Sequence, residues 1–213
     1  DNLAKYDAIL FNNTTHLVFQ NDTQRDAMLD FLKQGKGVAG IHAASDNFYK
    51  WKTAARMVGG QFDGHPWGAG GTWSFKLDDP KHTLNRAFMG KGFWLKDEIY
   101  QYKPGTFVGE DEIRILISLD LTKSQTMGPL KRNEGLRKQY TEGGRYVPVS
   151  WLRKFQGGRV FYTNFGHNES TFWNPGVIKH CLDGLQYALG DLTADATPTS
   201  KIKRTAVLAP AKP

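Results

Sequence analysis

The sequence has almost no cysteine, with Cys181 as the single thiol among 213 residues. One cysteine excludes an intramolecular disulfide. It lies in NPGVIKHCLDGLQYALG, where the apolar spacing is that of a helix, so we interpret it as a packed thiol and not as a nucleophile. A low cysteine content is typical of exported bacterial proteins. We therefore expect a periplasmic or secreted protein, with the cytoplasm as the alternative.

Long apolar runs are also missing. No stretch approaches eighteen apolar residues, so we expect no membrane insertion. No basic and apolar leader opens the chain, and we expect any signal peptide to have been removed or never present. The net charge is +7, but the basic residues are dispersed and the densest group, KRNEGLRK at 131–138, is interrupted by Glu134. Without a nucleic-acid motif, this charge indicates a solvated surface and no nucleic-acid partner.

The first forty residues show a strand, a helix and a second strand. YDAILFN (6–12) has strand composition, residues 22–35 have helical apolar spacing, and GVAGI (37–41) is a short apolar strand. Such a βαβ unit predicts an α/β fold with a mainly parallel sheet covered on both faces. Later segments extend this prediction, with strands at 72–77, 112–119, 147–152 and 159–165 and a last helix from Asn174 to Gly190.

Two regions carry no periodic pattern. Residues 120–146 are rich in Lys, Arg, Gly and Thr, and we expect a long loop insertion there. Residues 191–213 are rich in Pro, Thr, Ala and Lys, and we expect a flexible tail or linker after one domain at 1–190.

Two histidines directly follow predicted strands. His42 follows 37–41, and His167 follows the strand at 159–165 after a glycine. Ligands of open parallel sheets bind at the carboxyl ends of the strands, so we expect both imidazoles at that edge. Histidine near neutral pH can act as acid or base, and Asp46, within a turn of His42, can orient one ring.

Further candidates surround these two histidines. Asp97 and Glu98 are adjacent carboxylates whose side chains would face opposite sides of an extended chain, so only one need point at a cleft, as a second proton-transfer group. His65 lies between glycine turns. The remaining candidates for substrate binding are His65, Tyr100, Trp67, Trp151 and Asn164, with Trp173 as a further ring for stacking on a sugar. His16, His82 and His180 are assigned to structure or surface.

A divalent metal is the alternative use of the same residues. His42, His65 and His167 with one carboxylate would suit zinc or another transition metal with an open position. Their separations of 23 and 102 residues match no short metal motif, so we assign no metal from the sequence.

The ordered motifs YDAILFNN, GKGVAGIHAASD, MVGGQFDGHPW, DEIY and PVSWLRKFQGGRVFYTNFGHN resemble the ThuA-like (trehalose utilisation) family over residues 3–190. The resemblance implies a flavodoxin-like three-layer sandwich of the class I glutamine-amidotransferase type. Members normally begin with a further strand and helix, which we expect to be missing here. In the amidotransferases a cysteine nucleophile follows the strand where this chain has His42. Thioester chemistry is therefore excluded, since the fold alone does not carry that activity.

The resemblance implies a role in sugar metabolism, with a small carbohydrate as partner. Our leading hypothesis is an enzyme acting on a disaccharide or keto-glycoside by hydrolysis, elimination or isomerisation through histidine and carboxylate acid–base chemistry. The alternatives are a divalent-metal-dependent sugar hydrolase or lyase, and a non-catalytic carbohydrate-binding module.

Overall fold

The computed structural model describes residues 2–141 and 147–212, and these form an α/β fold built on one seven-stranded sheet. The strands are β1 (Ala8–Asn12), β2 (Gly37–Ile41), β3 (Thr72–Leu77), β4 (Phe93–Lys96), β5 (Arg114–Leu119), β6 (Pro148–Phe155) and β7 (Gly158–Thr163). The α-helices of the described residues are α1 (Asp22–Lys33), α2 (Lys52–Val58), α3 (Ser124–Lys131), α4 (Glu134–Thr141) and α5 (Pro175–Leu189).

The N-terminal βαβ unit forms as its sequence predicts. The Asn21 side chain caps α1 by accepting the backbone N–H of Gln24, and β1 and β2 then pair in parallel. On its other side β2 pairs in parallel with β7, with Ile41 opposite Thr163. The carboxyl ends of β2 and β7 therefore lie side by side at one edge of the sheet.

The prediction of a mainly parallel sheet is wrong. The strand order is β1-β2-β7-β6-β5-β3-β4, and every pairing beyond β7 is antiparallel. Gln156 and Gly157 join β6 to β7 with φ angles of 52° and 90°. A two-residue turn with both φ angles positive closes an antiparallel hairpin and does not lead to a parallel crossover.

Helices cover both faces of the sheet. Val38 of β2 belongs to a core cluster with Met28 of α1 and Met57 of α2. The next residue, Ala39, belongs to a second cluster with Val177 of α5. Because successive strand residues point to opposite faces, these two clusters lie on opposite sides and the fold has three layers.

The expected loop insertion at 120–146 is also wrong where the structure describes it. Helices α3 and α4 occupy most of 124–141, while 142–146 lie outside the described residues. Gly128 and Pro129 make α3 resemble a loop in sequence. The helix is instead held by tertiary contacts, since the Trp67 indole donates to the Thr126 carbonyl and the Ser74 N–H donates to the Thr126 hydroxyl.

The closing segment does not fit the expectation of a flexible tail. Within the described residues 191–212, Asp195 pairs with Arg114 at 3.1 Å and Val207 forms a β-bridge with Leu77. An extended segment that pairs through its backbone needs no apolar period, so composition does not reveal it. No helix among the described residues has the length and apolar character needed to cross a membrane.

Candidate functional site

The paired ends of β2 and β7 bring two histidines together. His42 is the first residue after β2, and His167 follows β7 after Gly166, whose φ is +124°. The centroids of the two imidazole rings are 5.3 Å apart.

Glu98 supplies the carboxylate between them. Its Oε2 lies 3.1 Å from His167 Nδ1 and 3.5 Å from His42 Nε2, and its Oε1 lies 3.4 Å from His65 Nδ1. These four residues are called the histidine–glutamate cluster. Burial opposes ionisation of Glu98, but the contact with His42 and the nearby imidazoles of His167 and His65 outweigh it. The pKa of Glu98 is therefore lower than usual, and the side chain is a carboxylate at neutral pH.

His65 reaches Glu98 through local pairing of two extended segments. Phe62 forms an antiparallel bridge with Tyr102, and Trp67 forms one with Ile99. His65 lies between the two bridged residues of the first segment, and Glu98 directly precedes Ile99 on the second segment. The His65 side chain remains 56% exposed, so solvent or a substrate can reach it.

His42 is held in one tautomer. Its Nδ1 lies 2.7 Å from the backbone oxygen of Asn164, which can only accept, so Nδ1 carries the proton. In the neutral ring Nε2 is then a bare acceptor. His42 is only 3% exposed, and its Nε2 is buried without a hydrogen-bond partner among the described residues. The backbone at His42 is left-handed, with φ +45°, and its carbonyl accepts from the Tyr162 hydroxyl at 2.8 Å.

Tyr100 covers one side of this ring. Its ring centroid is 4.4 Å from that of His42, and its N–H donates to the Asn164 side chain at 2.8 Å. Burial, together with the charge of Glu98 and other acidic neighbours, raises the pKa of Tyr100 well above its usual range. The phenol therefore stays protonated, and its hydroxyl is bonded to no other described residue, so it can donate to a bound ligand.

Comparison with known proteins identifies the family of this chain. The sequence matches the ThuA family, described as trehalose utilisation, over residues 1–188. The chain belongs to the ThuA family. That description indicates a role in sugar metabolism. No curated protein matches the chain.

Solved ThuA-like structures share the fold. A ThuA-like protein of Bacteroides uniformis is 21% identical with a TM-score of 0.60, covering 87% of this chain and 70% of that one. A ThuA-like protein of Parabacteroides merdae is 18% identical with the same TM-score of 0.60, covering 98% of this chain and 79% of its own. At such identities the likeness concerns the fold alone.

Asp97 has a different role in this ThuA-family chain from the one predicted. Its buried carboxylate accepts the backbone N–H groups of Gly166 at 2.8 Å and Asn168 at 3.0 Å. Both oxygens are thereby committed to the turn that carries His167. Asp97 positions that histidine, and Glu98, on the opposite side of the chain, faces the cluster.

Asp46 does not orient either histidine. Its carboxylate accepts from the Tyr49 hydroxyl and lies 3.8 Å from His16 Nε2. The predicted orienting role is filled instead by the Asn164 carbonyl for His42 and by Glu98 for His167. Asn164 is itself fully buried, so it positions its neighbours and does not meet a substrate.

The two tryptophans proposed as stacking surfaces belong to the core. Trp67 and Trp151 have no exposed surface, and their indole N–H groups donate to the backbone of Thr126 and Val58. Neither ring can touch a sugar, so that prediction is wrong. Trp173 is 74% exposed and keeps a free face.

Sequence reasoning missed Tyr162. Its hydroxyl also contacts the Ser45 hydroxyl at 3.0 Å and accepts from the Asn164 side-chain amide at 3.3 Å. A signal was available, because Tyr162 and Asn164 are two residues apart and alternation places both on one face.

Proposed function

We propose that this ThuA-family chain is an enzyme that removes a proton beside the carbonyl group of an oxidised sugar, such as a keto-disaccharide. The observation that carries this proposal is the histidine–glutamate cluster, in which an ionised carboxylate lies within 3.5 Å of three imidazole nitrogens. The exposed fractions of His65 and His167 are 56% and 44%, which supports access of a substrate to the cluster.

The chemistry follows from these groups. A hydrogen on the carbon next to a carbonyl is acidic enough for a carboxylate or imidazole base to remove it. Negative charge then develops on the carbonyl oxygen, where a donor such as the Tyr100 hydroxyl would stabilise it. His65, the most exposed of the three imidazoles, is suited to exchange the proton with the substrate or the leaving oxygen.

Removal of this proton can be followed by isomerisation, elimination or hydrolysis. Returning the proton to a neighbouring carbon gives isomerisation, and loss of the glycosidic oxygen gives elimination. Addition of water to the eliminated product amounts to hydrolysis. A family description of trehalose utilisation supports a disaccharide or its oxidised derivative as the substrate class.

The experiment is proton exchange in heavy water. A 3-keto-disaccharide is incubated with the protein, and loss of the hydrogen next to the carbonyl is followed by NMR. Changing Glu98→Gln removes the charge at nearly constant shape, and we expect the exchange rate to fall by about two to four orders of magnitude. Glu134→Gln is the matched control, because this exposed glutamate pairs with Lys138 on α4 and lies outside the histidine–glutamate cluster.

Two outcomes would refute the proposal. Exchange at the wild-type rate in Glu98→Gln would show that the histidine–glutamate cluster does not take part in the reaction. Tight binding of keto-disaccharides without any exchange or product would instead support the non-catalytic carbohydrate-binding module.

A further inference from the structure

We infer that the inner part of the histidine–glutamate cluster binds a divalent transition metal through His42 Nε2, Glu98 Oε2 and His167 Nδ1. The inference deepens the proposed function, and its consequence for the reaction rests on that function. Metal binding itself can be measured without any sugar.

The distances match those between ligands of a small metal ion. The three atoms lie within 4.8 Å of one another. The carboxylate oxygen is 3.5 Å from His42 Nε2 and 3.1 Å from His167 Nδ1. Ligand bonds of about 2.0–2.1 Å in a tetrahedral site place neighbouring ligand atoms about 3.3 Å apart, so these two pairs need only small shifts.

The tautomer of His42 independently points to a cation. Since Nδ1 donates to the Asn164 carbonyl, Nε2 is the nitrogen that faces Glu98 Oε2, and in the neutral ring both of these atoms are acceptors. Two acceptors facing each other in a buried site are unfavourable unless something positive lies between them, and at 3.5 Å a proton on Nε2 would make only a long contact with the carboxylate. The His42 side chain is 3% exposed and Nε2 has no hydrogen-bond partner among the described residues. A metal ion would satisfy both atoms.

The surroundings of His42 are those of a metal ligand. Metal-bound histidines usually donate their second ring nitrogen to a carbonyl or carboxylate, which fixes the tautomer and the ring plane. The Asn164 carbonyl does this at 2.7 Å. The backbone of His42 is fixed as well, because its own carbonyl accepts from the buried Tyr162 hydroxyl.

The donor set indicates the class of metal. Two imidazoles and one glutamate are the protein ligands of several catalytic zinc sites and of ferrous sites with open positions. His167 is 44% exposed, so the open side can be reached from solvent. A sugar carbonyl bound there would be polarised by the metal, and proton transfer would fall to His65.

This ligand set differs from the three histidines considered from sequence. His65 Nδ1 faces the other carboxylate oxygen, Oε1, at 3.4 Å and is not part of the inner group. The structure therefore assigns the third ligand position to Glu98 and leaves His65 outside it.

The experiment titrates chelator-treated full chain with Zn²⁺ by calorimetry and with Co²⁺ by visible absorption. Zinc is suitable because sites with nitrogen and oxygen ligands bind it more tightly than most divalent ions of the first row. We expect one ion per chain and the absorption of a four-coordinate cobalt site. His42→Gln, Glu98→Gln and His167→Gln should each weaken binding by at least about 100-fold, since loss of an outer partner alone costs about 10–100-fold.

Two variants serve as controls. His65→Gln should weaken binding less than any of the three ligand changes, by at most about 10–100-fold, because His65 contacts Glu98 Oε1 from outside the ligand group. His16→Gln should keep its affinity within a few-fold, because His16 is 76% exposed and reports any adventitious surface binding. His167→Gln changes an exposed side chain, so it decides the question if the variants at the buried positions fail to fold.

The outcomes separate this inference from the proposed function. No stoichiometric Zn²⁺ or Co²⁺, or wild-type affinity in His167→Gln, would overturn the metal site. Proton exchange by protein that binds neither ion would overturn it too, and would leave the proposed function standing. One metal ion per chain without exchange on any keto-disaccharide would overturn the proposed function and support the metal site.

Discussion

Replacing Tyr162 by phenylalanine should lower stability and zinc affinity although it substitutes no residue of the histidine–glutamate cluster. Tyr162 lies in β7 and is fully buried. Its hydroxyl donates to the His42 carbonyl at 2.8 Å and accepts from the Asn164 amide at 3.3 Å. His42 has φ +45°, an uncommon conformation for a residue with a side chain, so its backbone depends on such contacts.

The expected magnitude follows from the groups left behind. Tyr162→Phe removes a donor to the His42 carbonyl and the acceptor of the Asn164 side-chain amide, and no water can easily replace them in a fully buried position. A buried polar group that loses its partner costs about 1–3 kcal/mol, so we expect the free energy of unfolding to fall by about 2 kcal/mol. Zinc affinity should fall by about 10–100-fold, as for other partners that orient a metal ligand.

Urea unfolding and zinc calorimetry measure these two effects separately. Tyr187→Phe is the control, because Tyr187 is also buried and its hydroxyl donates to the Arg153 carbonyl at 3.3 Å, away from the cluster. Both variants should lose stability, but only Tyr162→Phe should lose zinc affinity. Equal zinc affinity in the two variants would refute the idea that Tyr162 holds His42 in place.

Two further predictions follow from buried ionisable groups. Asp97→Asn leaves one of the two N–H groups at Gly166 and Asn168 without its acceptor, so the unfolding free energy should fall by about 1–3 kcal/mol and proton exchange should slow. Unchanged values in denaturation and NMR exchange would contradict the positioning role. Burial lowers the pKa of His180 to about 4, so the folded state binds this proton more weakly than the unfolded chain. Below about pH 6.5 the unfolded chain binds a proton at His180 and the folded chain does not. The free energy of unfolding should therefore fall by about 3 kcal/mol between pH 6.5 and pH 4. Unfolding free energies measured from pH 7 to pH 4 should show this loss in the wild type and a smaller one in His180→Asn; parallel curves would count against it.

The positions of His42 and His167 were predictable because they depend on local features. Each follows an apolar run of strand length, and a strand end is a property of a few neighbouring residues. The pairing of β1 with β2 was predictable for the same reason, since the segment between them has the apolar spacing of a single helix. The βαβ unit thus determined from sequence which edge of the sheet carries histidine.

The rest of the sheet was less predictable. We predicted a mainly parallel sheet, but β6 and β7 are antiparallel strands joined by a hairpin turn at Gln156 and Gly157. The turn residues did carry the information, because adjacent positive φ angles are those of an antiparallel connection. Helix α3 was hidden for another reason, since Pro129 and Gly128 oppose a helix locally and contacts with Trp67 and Ser74 override them.

The roles of the carboxylates were decided only by the tertiary structure. Asp46, Asp97 and Glu98 are equivalent in sequence as candidate acids. In the folded chain Asp97 accepts two backbone N–H groups and Asp46 accepts the Tyr49 hydroxyl. Of these three acids, Glu98 is the one that contacts His42, His65 and His167. Distances of a few ångströms between segments far apart in the chain decide this, and no local pattern encodes them.

The sequence by itself therefore determined that two imidazoles stand at one edge of an α/β sheet, because secondary structure and strand ends are local. Only the tertiary structure decided that Glu98 joins them and that Trp67 and Trp151 are core. It also decided that the His42 lone pair is directed inward, because a backbone carbonyl 122 residues away fixes the proton on the other nitrogen.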